Sequence, residues 1–311
     1  MAAGGGTRAI IAALLANLGI ALAKFVGFLL TRASSMLAES VHSLADSGNQ
    51  ALLLLGGRQA RREPTPIHPF GYGRERYFWS FVVAVVLFAL GSLFALYEGV
   101  DKLRHPHELT SPMIAAGILV LGIILESFSF RTAITEARHI KGTGSWWRFI
   151  RSSRNPELPV VLLEDLGALI GLMLALLAVL ASVVTGDARF DAYGTLTIGV
   201  LLGVISVILA IEMKSLLLGE SASREDLSAI VAAITSDDRV QELLHLQTQH
   251  LGPDELLVAG KVALAPTLNF EEVVDAIDDA EGRVRQRVPS ARVIYLEPDR
   301  RDVDHTAASR G

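Results

Sequence analysis

Several ionisable side chains sit in stretches otherwise fit for hydrocarbon, and their types and spacing point to one chemistry. His42 and Asp46 are four residues apart, with Glu39 three before the histidine. Residues four apart share one helix face, so a ring nitrogen and a carboxylate can reach the same ion. Glu164 and Asp165 stand early in another apolar run, and Glu126 lies in a third. A carboxylate from a second helix can close a tetrahedron around the His42–Asp46 pair, and Zn2+ accepts such nitrogen and oxygen donors. The alternative is that His42 and Asp46 satisfy only each other and the backbone. The setting decides against it: an Asp at the centre of a spanning helix costs about 2.5–3.5 kcal/mol even on a lenient insertion scale, so such groups mark function. The candidate metal ligands are His42, Asp46, Glu164 and Asp165.

Other polar residues have plainer roles. Glu126 can pair with Arg131, and Lys24 can reach the interface or neutralise an acid. Asp191 opens an apolar run, where an acid suits the helix dipole. His105 and His107 fall in a loop, and His245 and His250 in a polar C-terminal part.

The elements that must position these groups follow from composition. The 311 residues are 51% hydrophobic and only 20% charged, which points to a membrane protein with a smaller soluble part. The net charge of −5 is no nucleic-acid footprint. The absence of cysteine excludes disulfides and thiolate metal sites. No GxxxxGK[ST] phosphate loop, HExxH or GxSxG occurs, so neither an ATP engine nor an intramembrane hydrolase is expected. The fuel is then an ion gradient, and the protein is not an enzyme.

Six apolar stretches are long enough to span a bilayer, which takes about 20 residues: 9–30, 35–57, 78–100, 112–130, 159–184 and 192–217. Lipid offers the backbone no hydrogen bonds, so each should be a helix. The connection after the second stretch carries Arg58, Arg61, Arg62, Arg74 and Arg76, and that after the fourth carries Arg131, Arg138, Lys141, Arg148, Arg151 and Arg154. The opposite side has Arg32, Lys102, Arg104 and Arg189. The Arg-rich side is expected to be cytoplasmic, with both termini there. With no targeting segment evident, a bacterial plasma membrane is the expected location.

Residues 1–218 thus read as a six-helix transmembrane domain, 219–298 as a small soluble domain and 299–311 as a disordered tail. In the soluble part, Ser223 caps a helix with Asp226 three residues on, and Leu227, Ile230, Val231 and Ile234 follow at helical spacing. Strands at 240–250 and 255–265 flank a Gly252-Pro253-Asp254 turn. A helix after Asn269, with Val273, Ile277, Val284 and Val288 on one side, and a strand at 291–297 complete an α-β-β-α-β order. That order suits a ferredoxin-like sandwich.

The segments SSMLAESVHSLADSGNQALLLLG, HPFGYGRERYFW and FDAYGTLTIGVLLG resemble the cation diffusion facilitator family, and the likeness covers nearly the whole chain. NPELPVVLLEDLGALIGL is similar to the branch containing the mitochondrial mammalian zinc transporter. The resemblance implies a homodimer with a cytoplasmic C-terminal domain, exporting zinc in exchange for protons. It implies an intramembrane site with two ligands on the second helix, here His42 and Asp46, and two on the fifth, here Val161 and Asp165. Valine cannot bind metal, so Glu164 is the substitute, one residue and so about 100° around the helix from Asp165. The exchange makes the site richer in oxygen and raises Mn2+, Fe2+ or Co2+ as alternative cargo. A loop site that relatives build from HxxGHG has lost one histidine to Tyr72 in His68-Pro69-Phe70-Gly71-Tyr72-Gly73. The closing VIYLEP lacks the histidine that relatives use in the soluble domain. Metal ligands must be deprotonated, so metal and protons compete for one site, and histidine's ordinary pKa of about 6.5 suits that exchange. A metal sensor or scaffold that kept the fold is the remaining alternative.

Overall fold

Apolar runs of this length close all their backbone hydrogen bonds within one helix, and the chain does so repeatedly. The computed structural model describes residues 3–31, 34–105, 112–142 and 144–300, without the side chains of 3–6, 24, 27–28, 30–31, 34–42, 45 and 152. Helices α1 (Ala3–Thr31) and α2 (Ser34–Gln59) lead. They are followed by α3 (Glu75–Arg104), α4 (Pro112–Lys141), a short α5 (Trp146–Ser152), α6 (Glu157–Thr185) and α7 (Arg189–Leu218). Among the described residues, α3, α4, α6 and α7 are long and apolar enough to cross a membrane, while α1 contributes the shorter apolar stretch Thr7–Ala23. The helix α5 was not expected from the sequence. Ser145 caps it by accepting from the Arg148 N–H, and Phe149 and Ile150 bury against the helical core. α4 runs well past its apolar stretch, through Arg131 to Lys141.

The chain divides into two compact units, Met1–Glu63 with Glu75–Leu217, and Pro64–Arg74 with Leu218–Gly311. In the helical unit α1 packs on α2, α4 and α6, and α4 packs on α6. α3 and α7 meet through small residues. A Cβ at Gly99 would stand 2.7 Å from Leu196 Cγ, and one at Gly199 2.9 Å from Leu96 Cγ. Only hydrogen fits at those two contacts, which lets the backbones approach as membrane helices commonly do. The Ser92 hydroxyl donates to the Gly199 carbonyl at 2.8 Å. Ser92 lies in a π-helical segment, Leu87–Leu93, one extra residue per turn that re-aims the side chains beyond it.

The second unit is a three-stranded mixed sheet with two helices. Strands β1 (Val240–Gly252) and β2 (Glu255–Leu264) form an antiparallel hairpin, and β3 (Ala291–Pro298) joins β2 in parallel. Helices α8 (Arg224–Ile234) and α9 (Phe270–Arg287) share one core with alternate β2 residues Leu256, Val258 and Val262. The element order is the one the hydrophobic pattern predicts. The described sheet has one strand fewer than a full β-α-β-β-α-β unit. Ser223 caps α8 as its position suggests, and Asn269 with Glu272 forms a reciprocal capping box on α9. The buried face of α9 is Ala276, Ala280 and Val284, so the predicted Val273 and Ile277 lie at its margin.

The segment Pro64–Arg74 belongs to this unit. Its Gly73 meets the hairpin turn backbone to backbone: a Cβ there would be 2.8 Å from the Leu251 carbonyl oxygen. The Tyr72 ring stacks on His68 at 4.6 Å. Among the histidines of β1, His245 pairs across the hairpin with Lys261 and His250 with Leu256, so the two lie on opposite faces of the strand.

Asp237 ties α8, β1 and α9 together. Its carboxylate accepts from Arg239 Nε at 3.0 Å and Nη2 at 2.7 Å, from the Arg239 N–H at 3.0 Å and from Arg283 Nη1 at 3.1 Å. The Arg239 bonds hold its pKa below the usual carboxylate range. A depressed carboxylate contributes its full stability at neutral pH and loses it as pH falls beneath the unfolded value of about 3.9. Amide exchange in β1 should therefore be faster in Asp237→Asn than in wild type at pH 7. The gap should close as pH is lowered through that range.

Candidate functional site

The polar centre of the helical unit forms where α1, α2 and α6 approach. Glu164 is 7% exposed on α6, and both of its oxygens are claimed by α2. Asn49 Nδ2 donates to Oε1 at 2.9 Å, and Gln50 Nε2 donates to Oε2 at 2.9 Å. Gln50 is itself held from behind, since Asn17 Nδ2 of α1 donates to its Oε1 at 3.3 Å. The Oδ1 of Asn49 is buried and, among the described residues, accepts no hydrogen bond. Asn49 and Gln50 lie three and four residues beyond Asp46, so all three share one face of α2. Among the described residues, the acids that interact with Glu164 are Asp46, Asp165 and Glu126.

Asp165 is turned the other way. It is buried, and the Ser129 hydroxyl of α4 donates to its Oδ2 at 2.7 Å. Adjacent helical residues differ by about 100° around the axis, so one acid faces α2 and the next faces α4. Val161, at the position the resemblance reserves for a ligand, is fully buried in the apolar core. The side chains of His42, Glu39 and Lys24 lie outside the described residues, as does His107. Among the described residues, no three His, Asp or Glu side chains converge closely enough to hold one ion. The acids are neighbours that repel, and they have not closed on a common point.

One expectation changes in the structure, and two hold with an added partner. Glu126 is buried near Glu164 while Arg131 is exposed, so the two do not pair. Residues five apart on a helix point about 140° away from each other, which is why. Asp191 forms an ion pair with Lys102 of α3 at 3.0 Å, beyond any role at its own helix end. His105 sits on Asp101 at 3.2 Å in solvent. Sequence reasoning missed Asn49 and Gln50 as partners of Glu164. Their offset from Asp46 was the available signal, but amides lack the charge that draws attention to an acid.

An ion pair with a buried carboxylate braces the same helix. Arg76 of α3 grips Glu157 of α6 with two donors, Nε to Oε1 and Nη2 to Oε2 at 2.6 Å, and Nη2 also reaches Asn155 Oδ1 at 3.3 Å. Glu157 is seven residues before Glu164, hence on the same face two turns away. Removing one member of a buried pair strands the other charge, at a cost of about 3–5 kcal/mol. Glu157→Ala should thus lower the melting temperature of the detergent-solubilised protein strongly. The double change Arg76→Met with Glu157→Met should recover much of the loss.

Residues 10–218 match the cation efflux transmembrane domain. Over 251 residues, 80% of the chain, it is 32% identical to the mouse protein named proton-coupled zinc antiporter SLC30A9, mitochondrial, covering 43% of that protein. It is 31% identical over 79% of its length to metal tolerance protein C4 of Arabidopsis thaliana, covering 54% of it. It is 28% identical over 56% of its length to the zinc transporter ZitB of Escherichia coli, covering 50%. The chain thus spans about half the length, or less, of these relatives. The mouse relative is named as mitochondrial, which lends no support to the bacterial plasma membrane expected for this chain.

Proposed function

The chain belongs to the cation efflux family, and on that footing we propose that it is a secondary transporter exporting divalent metal cations from the cytoplasm, Zn2+ first, by proton antiport. It is an integral, multi-pass membrane protein. Zinc and protons are supported by the likeness to the mouse proton-coupled zinc antiporter, and zinc also by the likeness to the zinc transporter ZitB.

One observation carries the reading: a carboxylate, Glu164, buried in an apolar helical unit and presented to the face of α2 that bears Asp46. The proposed ligands are His42 and Asp46 from α2 with Glu164 and Asp165 from α6. Glu164 stands in for the ligand lost at Val161. Cation and proton then compete for the same oxygens, because a carboxylate binds metal only when deprotonated. The Asn49 donor now on Glu164 Oε1 occupies the place a cation would take.

The proposed frame is six spans, α1 and α2 being the first two, with both termini cytoplasmic and a ferredoxin-like C-terminal domain. Two copies would assemble as a homodimer. The Arg-rich connections remain the ground for the orientation and for a bacterial plasma membrane. A second reading is export of Mn2+, Fe2+ or Co2+, since a carboxylate in place of the ligand lost at Val161 leaves the proposed set richer in hard oxygen donors.

Zn2+ and Mn2+ flux into proteoliposomes under an imposed pH gradient tests this, with Asp46→Ala and Glu164→Ala beside wild type. Both variants should lose more than about 100-fold in rate, as expected when a first ligand is removed. Collapsing the pH gradient should slow the wild type. Wild-type protein that moves neither metal under any gradient would return the chain to the sensor or scaffold class.

A further inference from the structure

The two amides on Glu164 are not equivalent. Gln50 is fixed at both ends: its Nε2 is spent on Glu164 Oε2 at 2.9 Å, and its Oε1 accepts from Asn17 at 3.3 Å. Turning it over would break both bonds and set oxygen against oxygen. Asn49 is fixed at one end only. Its Nδ2 donates to Glu164 Oε1 at 2.9 Å, while its Oδ1, in a residue 2% exposed, accepts no hydrogen bond from the described residues. A buried carbonyl oxygen left without a donor costs about 1–3 kcal/mol, so its persistence calls for a use.

A half-turn of the Asn49 amide about its last side-chain bond supplies one. It exchanges Nδ2 for Oδ1 and sets that oxygen about 2.9 Å from Glu164 Oε1, by the distance now measured to the nitrogen. Two bare oxygens at that separation repel. With a divalent cation between them, the same separation suits two ligands of one ion, because metal–oxygen bonds of about 2.0–2.2 Å leave adjacent donors about 3 Å apart. The amide has one orientation for the cation-free carboxylate and the opposite one for the loaded carboxylate.

We propose that Asn49 is a ligand and specificity-determining residue of the ion path: it donates to Glu164 when no cation is present and turns Oδ1 onto the cation when one binds. Gln50, locked by Asn17, is a positioning residue that keeps donating to the second carboxylate oxygen in both states. The added donor is a neutral, hard oxygen, so its removal affects Mn2+ more than Zn2+. This inference rests on the transport reading above.

Equilibrium Zn2+ and Mn2+ binding to the purified full-length protein, with flux measured in parallel, tests it on wild type, Asn49→Leu and Asn49→Asp. Asn49→Leu should bind Mn2+ about tenfold or more weakly, with a smaller loss for Zn2+. Asn49→Asp keeps an oxygen where the ligand must be and should bind both ions at least as tightly as wild type. If Asn49 served only to donate to Glu164, both variants would bind alike and more weakly, which overturns the proposal. Wild-type affinity in Asn49→Leu overturns it too. A second readout avoids any question of misfolding: in wild-type protein carrying labelled asparagine, the Asn49 carbonyl signal, assigned by its absence in Asn49→Leu, should shift on cation binding. A signal that stays in place refutes the turn. Wild type that neither binds nor moves either metal defeats the transport reading itself, whereas wild type that does both while Asn49→Leu is unaffected defeats only the role of Asn49.

Discussion

A carboxylate inside an apolar helical bundle must find its donors in the protein, because lipid supplies none. Glu164 meets that constraint with two amides from one turn of α2. The magnitudes are adequate. Burying an acid costs about 2.5–3.5 kcal/mol on the insertion scale, and each hydrogen bond to a charged group returns about 1.5–3 kcal/mol. The arrangement requires Asn49 and Gln50 to be adjacent in sequence, so that each takes one carboxylate oxygen. It also requires α1 to approach closely enough for Asn17 to orient Gln50. The packing of α1 against both α2 and α6 follows from this demand as much as from apolar contact.

The remaining helices are held by similarly specific ties. Between membrane helices the hydrophobic effect offers no net attraction, so close packing and interhelical hydrogen bonds must do the holding. α3 and α7 use glycine against leucine and a Ser92 hydroxyl on a backbone carbonyl. The π-helical segment matters because it sets the angular position of Ser92. α3 and α6 use the bidentate Arg76–Glu157 pair. That pair fixes the axial position and rotation of α6 two turns from Glu164, so it also fixes which residue of α6 faces α2.

Much of the architecture was legible in the sequence because apolar length and periodicity are direct physical signals. The soluble order α-β-β-α-β followed from alternation, a Gly252-Pro253-Asp254 turn and two polar caps. The limits have equally definite causes. α9 buries Ala276 and Ala280, which a search for large apolar residues passes over. α5 rests on one Ser145 cap and two buried side chains, too short a pattern to register. The assignment of Pro64–Arg74 to the sheet unit depends on a glycine contact between segments almost 180 residues apart in number, from Gly73 to Leu251, which no local pattern encodes. At the polar centre, the acids were visible by their cost in lipid, whereas the amides that organise them were not.

The geometry also limits how the two acids of α6 can act. Glu164 and Asp165 are separated by about 100° around the helix, and each is already engaged on its own side, one by α2 and the other by Ser129 of α4. A single ion can take both only if α6 rotates or if the side chains reach around the helix. Rotation works against the Arg76–Glu157 pair, which clamps the same helix. Turning one asparagine amide costs far less, since it breaks one hydrogen bond and moves no backbone. Of the motions open to this centre, the smallest lies at Asn49, whereas any rotation of α6 that brought Asp165 round to the face of α2 would have to give up the Ser129 hydrogen bond as well.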